Sequence, residues 1–253
     1  MTFRQSPVYK LIANPTHPFQ SDGLSQVDCK FHASRITHHF IPMACDSTIE
    51  NRILTSGRSF IAGADEVGRG ALAGPVVAAA VILDLGKLPQ GIDDSKKLTR
   101  SLRERLEDEI RRCARSFSVV RIEHDEIDRT NIHRASLEAM GRAVKALQPE
   151  ADYVLIDGKY EVPHLNCPQT AIVKGDCLSV SIAAASIIAK VARDRWMIEY
   201  DEQYPGYGFA AHAGYATRRH REAIARLGPS AIHRRTFRGV QYYQASLNLR
   251  TEE

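Results

Sequence analysis

Asp65 and Glu66 stand side by side in Gly63-Ala64-Asp65-Glu66-Val67-Gly68-Arg69-Gly70, directly after the apolar residues 60–64. A carboxylate withdrawn from water needs a partner, and no Lys or Arg adjoins the pair before Arg69. A divalent cation is one such partner, because hard cations prefer oxygen ligands. An Asp-Glu pair is common by itself, and neighbouring side chains on an ideal strand point to opposite faces. The two carboxylates converge only if the strand twists or ends there, which Gly68 and Gly70 permit.

Two more acids recur in the same setting. Asp157 closes the apolar run Tyr153-Val154-Leu155-Ile156 and precedes Gly158, and Asp176 follows Val173-Lys174-Gly175. Taken singly, Asp157-Gly158 reads as a turn and Asp176 as a helix cap. Together with Asp65 and Glu66 they make a set of acids at strand ends, the edge at which α/β sheets build sites. Four carboxylates around two metal ions suit phosphodiester hydrolysis, one ion activating water and the other stabilising the leaving oxygen. Asp194 is a rival ligand, but it lies about 14 residues along a helix starting near Val180, roughly 20 Å away at 1.5 Å per residue. It is assigned to local pairing with Arg193, Arg195 or Lys190.

The elements that position these acids follow from periodicity. Residues 60–64, 75–83, 117–122, 153–156 and 171–173 read as strands. Residues 102–114, 131–147, 180–200 and 218–227 read as helices, and Ser101 with Glu104 forms a capping-box pattern before the first. The expected fold class is α/β, a mixed central sheet flanked by helices with a C-terminal helical part. The small residues at the start of the 180–200 helix suit close approach to the sheet. Residues 1–56 carry Pro7, Pro15, Pro18, Pro42 and scattered histidines with no sustained period, and read as an unordered extension, Met43 being an alternative start. The domain expected to fold spans residues 57–245, with a tail at 246–253.

The chain has 253 residues, 43% hydrophobic and 25% charged, with a net charge of +4. That is ordinary globular composition. Its five cysteines are odd in number, widely spaced and without a Cys-x-x-Cys. A disulfide framework or zinc site is not indicated, and a reducing cytosol is the natural compartment. No apolar run reaches membrane-spanning length, and residues 1–20 lack the apolar core of a secretory signal.

The motifs, in order, resemble bacterial ribonuclease HII, the type 2 ribonuclease H. The match rests on Gly63 to Gly70, Ala73-Gly74-Pro75, Asp94-Ser95-Lys96-Lys97-Leu98 and Asn131. It continues through Ile156-Asp157-Gly158, Lys174-Gly175-Asp176, Ala183 to Lys190 and Arg193-Asp194. It closes on Tyr204 to Phe209, Gly214-Tyr215-Ala216-Thr217 and His233 to Phe237, so that roughly residues 60–240 are covered. The resemblance implies a ribonuclease H-like fold, cleavage of RNA in RNA–DNA hybrids and incision 5′ of single ribonucleotides in duplex DNA. It implies 5′-phosphate and 3′-hydroxyl ends, Mn²⁺ or Mg²⁺ as cofactor with two ions per site, and Asp65, Glu66, Asp157 and Asp176 as the metal-binding acids.

By the same resemblance, Gly68, Arg69 and Gly70 form the ribose-sensing turn, and Tyr215 stacks on the sugar at the DNA side of the junction. Glycines let backbone groups reach a minor groove, where the 2′-hydroxyl marks RNA. Ser95, Lys96 and Lys97 are candidate phosphate contacts. Arg218, Arg219, Arg221, Arg226, Arg234, Arg235 and Arg238, with only Glu222 among them as an acid, make a basic segment suited to a duplex backbone. The partners implied are RNA–DNA hybrids and ribonucleotide-containing duplexes, with no membrane and a monomer as the simplest assembly. Type 3 relatives carry an N-terminal substrate-binding domain, for which residues 1–56 are short and unpatterned. A non-catalytic hybrid binder and a junction resolvase on the same fold are the competing readings.

Overall fold

The computed structural model describes residues 45–241. A five-stranded sheet forms its centre, in the order β3-β2-β1-β4-β5. Strands β1 (Ile61–Val67), β2 (Val76–Ile82) and β3 (Ser116–Ile122) are antiparallel neighbours, while β4 (Tyr153–Asp157) and β5 (Gln169–Ile172) extend the sheet in parallel beyond β1. The mixed sheet expected from the sequence is therefore present. β2 is buried along its whole length, as its run of Val, Ala and Ile requires of a strand covered on both faces.

Helices cover the two faces. On one lies α4 (Ile132–Lys145), where Ala135, Ala139 and Ala143 share a core with Ala62, Ala78 and Ile156. On the other lies α5 (Val180–Gln203), packed with α2 (Arg100–Cys113) through Leu106, Ile110, Ile187 and Ile188. From Val180 to Ala189 every residue of α5 is buried, as expected of a helix apolar on all sides. Gly63 shows how close the approach is: a Cβ there would lie 2.1 Å from the carbonyl carbon of Ser181. After α5, the short helix α6 (Phe209–His212) and helix α7 (Arg218–Leu227) form a smaller core around Phe209, Met197 and Ile224. None of the described helices is long and apolar enough to cross a membrane.

Several local expectations need correction. β1 does not stop at residue 64 but runs on through Asp65 and Glu66 to Val67, held by β2 across the full register to Val77. Helix α2 is capped by Thr99, whose Oγ1 accepts from the Leu102 N–H at 3.3 Å, and not by Ser101. Glu104 is bound instead to Arg100, 2.9 Å away. β5 begins two residues and ends one residue before the expected span. A helix that the sequence did not signal, α3 (His124–Thr130), precedes α4, and Asn131 caps α4 through its Oδ1 and the Arg134 N–H at 2.9 Å.

The expectation of no order through residue 56 fails for residues 45–56. They contain helix α1 (Thr48–Thr55), whose Glu50 is buried against the start of α5. Residues 1–44 and the expected tail at 246–253 lie outside the described residues.

Candidate active site

The parallel pairing of β1 and β4 places Ala64 beside Ile156, so Asp65 and Asp157 come next to one another at the sheet edge. Both follow the alternation that aims Gly63 at α5. Asp65 is 5% exposed, and the Glu66 N–H donates to its Oδ1 at 2.7 Å. The chain then needs a third acid on this side, and a turn supplies it. Lys174 adopts the left-handed conformation at φ 57°, and the turn Gly175–Cys177 presents Asp176, 4% exposed. The Gly175 N–H donates to Asp157 Oδ1 at 2.7 Å, tying the turn to the strand.

Glu66 is the acid whose direction the sequence left open. Its side chain is 7% exposed, and its Oε1 receives Arg69 Nη1 at 3.0 Å. Its Oε2 is buried without a hydrogen-bond partner. Alternation sends Glu66 away from Asp65, yet the charge of Glu66 still acts on the Asp65 carboxyl. Burial, then the charges of Glu66 and Asp157, hold the Asp65 carboxyl well above its ordinary value. Burial also raises Glu66, against the opposing Arg69 guanidinium, and raises Asp157, with the Asp176 charge adding to it. Such mutual repulsion among carboxylates withdrawn from water, only partly offset by Arg69 and Lys96, marks a candidate functional site.

These residues fit a divalent cation. Every donor is a carboxylate oxygen, and the orphaned Glu66 Oε2 is a buried acceptor in want of a partner. Beside them, Lys96 Nζ donates to Asp176 Oδ2 at 2.9 Å and lies 3.9 Å from Asp94 Oδ1. Ligand atoms of Asp94, Asp176 and Cys177 lie within 4.8 Å of one another. Asp94 was not among the expected site residues, although an acid directly before Ser95-Lys96-Lys97 was a usable signal.

The loop after β1 carries the other candidates. Gly68 has φ +94°, and a Cβ on it would lie 2.2 Å from Arg193 Nε, so this position needs glycine twice over. Gly70 faces open space, and the Arg69 side chain is half exposed. Ala71 bridges to Tyr215, which brings the turn and the tyrosine together.

The model of the family described as Ribonuclease HII matches residues 62–240. The chain belongs to the ribonuclease HII family. The Ribonuclease HII of Geobacter metallireducens is 55% identical over 198 residues, covering 78% of this chain and 92% of the relative. That of Geobacter sulfurreducens is 56% identical over 192 residues, covering 76% and 88%. Among solved structures, ribonuclease H2 from Pyrococcus horikoshii has a TM-score of 0.64 at 26% identity, covering 75% of this chain and 99% of that one. RNase HII in its PCNA complex from Archaeoglobus fulgidus has a TM-score of 0.61 at 29% identity, covering 71% and 96%. The chain is thus an endoribonuclease of the ribonuclease H class, with the mixed sheet and helices of that class.

Within this ribonuclease HII frame, the remaining expected residues divide. Lys96 joins the acids. Lys97 turns aside to Asp93, 3.0 Å away. Ser95 is buried, its Oγ 3.0 Å from that of Ser186, whose hydroxyl works against the rise of the Asp65 pKa. It stands behind the acids and not on the surface. Asp194 pairs with Lys190 at 2.6 Å, as its position along α5 required. Arg218, Arg219, Arg221, Arg226, Arg235 and Arg238 are exposed. Arg234 must be removed from that basic surface: it is 0% exposed, and its guanidinium donates inward to the carbonyls of Gly74 and Arg69.

Proposed function

We propose that the chain hydrolyses the RNA strand of RNA–DNA hybrids and incises duplex DNA 5′ of single embedded ribonucleotides, leaving 5′-phosphate and 3′-hydroxyl ends. Asp65, Glu66, Asp157 and Asp176 would hold two Mn²⁺ or Mg²⁺ ions. The observation that carries this reading is the mutually repelling set of Asp65, Glu66 and the partly buried Asp157, joined through Asp157 to Asp176. When bound, such ions supply Lewis-acid charge and a water of lowered pKa.

The protein's own residues do the rest. The Asp157 carboxylate is aimed by the Gly175 N–H, and that of Asp65 by the Glu66 N–H. Gly70, with open space where a side chain would stand, lets the turn approach a minor groove and meet the 2′-hydroxyl. Arg69 neutralises Glu66 while its other nitrogens remain available to a phosphate. Lys96 is poised to move from Asp176 to a phosphate oxygen. Tyr215, beside Ala71, offers a ring on which the sugar following the ribonucleotide stacks. The exposed arginines around α7 attract the duplex backbone in a salt-dependent way.

The test is a nicking assay with purified protein and Mn²⁺ on a DNA duplex carrying one ribonucleotide. A cut on its 5′ side is expected, and Asp65→Asn should abolish it while duplex binding persists. No cut by folded protein, or equal cutting of an all-DNA junction, would overturn the reading.

A further inference from the structure

Two arginines of this chain are buried without an acid. Arg193, from the middle of α5, and Arg234, following α7, are both 0% exposed, and neither has an ion pair among the described residues. Burial lowers the pKa of each, that of Arg234 to about 9, with the Arg193 charge contributing. Withdrawing a charge from water is costly, and apolar residues of like volume often serve stability as well or better. These two side chains therefore call for another explanation, and their hydrogen bonds supply it.

All of those bonds go to carbonyls of two short stretches. Arg193 donates to Pro75 O at 3.0 Å and Ala73 O at 3.3 Å, and across to Ala213 O at 2.8 Å. Arg234 donates to Gly74 O at 3.0 Å and Arg69 O at 2.9 Å. The Arg193 guanidinium carbon also sits 5.4 Å from the centre of the Tyr215 ring. The backbone is laced the same way, Leu72 N–H donating to Gly214 O at 2.8 Å and Arg234 N–H to Leu72 O at 2.8 Å. A guanidinium is a rigid fork of five donors that a flexible ammonium does not reproduce.

We propose that Arg193 and Arg234 are positioning residues that lock the Gly68-Arg69-Gly70 turn to Tyr215, so that the two act as one rigid gauge for a ribonucleotide–deoxyribonucleotide junction. The inference rests on the functional reading above. The turn meets the ribose, Tyr215 meets the next sugar, and the distance between turn and tyrosine is set by buried guanidinium groups that reach neither sugar. In a continuous hybrid every neighbouring sugar is a ribose, so many registers satisfy the turn. At a single ribonucleotide only one register satisfies both ends. Loosening the gauge should therefore cost most at the single ribonucleotide.

The test compares kcat/KM on two Mn²⁺-supported substrates, a duplex with one ribonucleotide and a continuous RNA–DNA hybrid. The variants are Arg193→Lys, Arg234→Lys and Gly214→Ala. The last leaves both buried charges in place, but its Cβ would lie 2.5 Å from Ala73 O at a φ of +75°, which pushes the Tyr215 segment off the loop. Val144→Ala, in the α4 core, serves as a control for lost stability alone. The ratio of the two rates should fall roughly tenfold or more in the three variants, as for ångström-scale misplacement near a reacting centre, and stay unchanged in Val144→Ala. An equal loss on both substrates, as in the control, overturns the proposal. Should either lysine variant fail to fold, Gly214→Ala decides by the same ratio. If the wild type cuts the hybrid but not the single ribonucleotide, the functional reading has failed and this inference falls with it. If the wild type cuts both and the ratio holds in the variants, only this inference falls.

Discussion

The Nε2 atoms of His220 and His233 lie 3.1 Å apart, with both rings fully buried. The Ser230 N–H lies 2.9 Å from His233 Nδ1, and a backbone N–H only donates, so His233 carries its proton on Nε2. That proton goes to His220 Nε2, which accepts it, and His220 Nδ1–H then donates to Tyr215 O at 2.9 Å. One arrangement satisfies every partner, and in it both rings are neutral. Burial lowers the pKa of His220 to about 4 and that of His233 to about 3. The unfolded chain, with histidines near 6.5, binds more protons than the folded one below that pH. Their contribution is whole above about pH 6.5 and is lost as pH falls toward 4 and below. The raised carboxyls of Asp65, Glu66 and Asp157 act with the opposite sign, so a difference between proteins is the clean measure. The melting-temperature advantage of wild type over His220→Gln should shrink steadily from pH 7 to pH 4. A constant difference would show that the His220 ring is not held neutral.

Asp65 makes a prediction of unusual sign. Its carboxylate is buried beside two others and is raised by both burial and their charge. In metal-free protein, Asp65→Asn removes repulsion and should melt no lower than wild type, or a few degrees higher. A bound ion reverses the ranking. Ligand at about 100 times its dissociation constant stabilises a native state by roughly 2.7 kcal/mol, so Mn²⁺ should raise the wild-type melting temperature by several degrees and leave the variant almost unmoved. Thermal unfolding in EDTA and in Mn²⁺ reads both. A variant that keeps the full Mn²⁺ shift would take Asp65 out of the metal centre.

Asp65, Asp157 and Asp176 stood out in the sequence as acids following apolar residues, and β1, β4 and the Gly175–Cys177 turn place these three near one another, whereas alternation along β1 directs Glu66 away from Asp65. What was not legible depends on contacts between distant parts of the chain. Arg234 looks like its exposed neighbours until Gly74, 160 residues earlier, is found accepting its Nε–H. Ser95 reads as a surface residue until Ser186 is placed against it. Helix α1 has no lasting period of its own, because a short helix docked through a buried Glu50 has little apolar face to display. Thr99 and Ser101 are both competent caps, and only the turn before α2 selects between them.

Lys96 should separate metal binding from substrate binding. Burial works against its ammonium, but the hydrogen bond and charge of Asp176 outweigh it and raise its pKa above the usual lysine value. In the free protein it therefore competes for an Asp176 oxygen that a metal would take. Its side chain is 76% exposed, so the contact is a weak one, about 1 kcal/mol at most. Lys96→Met should tighten Mn²⁺ binding up to ~5-fold by calorimetry, while raising KM for the duplex through loss of a phosphate contact. If both affinities fall together, Lys96 supports the acids and does not compete with the ion.

Glu50 tests whether α1 belongs to the machinery. Its Oε1 accepts from Ser179 Oγ at 2.5 Å and from the Ser181 N–H at 3.0 Å. The Val180 N–H meets Asp46 O at 3.2 Å. The first N–H groups of α5 have no partners within the helix, and a carboxylate there also meets the positive end of its dipole. Glu50→Ala leaves a buried N–H unpaired and should cost about 2–3 kcal/mol in denaturant unfolding, as for hydrogen bonds to a charged group. Glu50→Gln keeps an oxygen that can accept both bonds and should cost less than half as much. Asp176 lies three residues ahead of Ser179, so loosening this start should also weaken Mn²⁺ binding by a few fold in the alanine variant alone. Unchanged unfolding of Glu50→Ala would mean that α1 is not docked on α5. Lost stability with unchanged Mn²⁺ affinity would mean that the Asp176 turn is held in place without it, through Gly175 and Asp157.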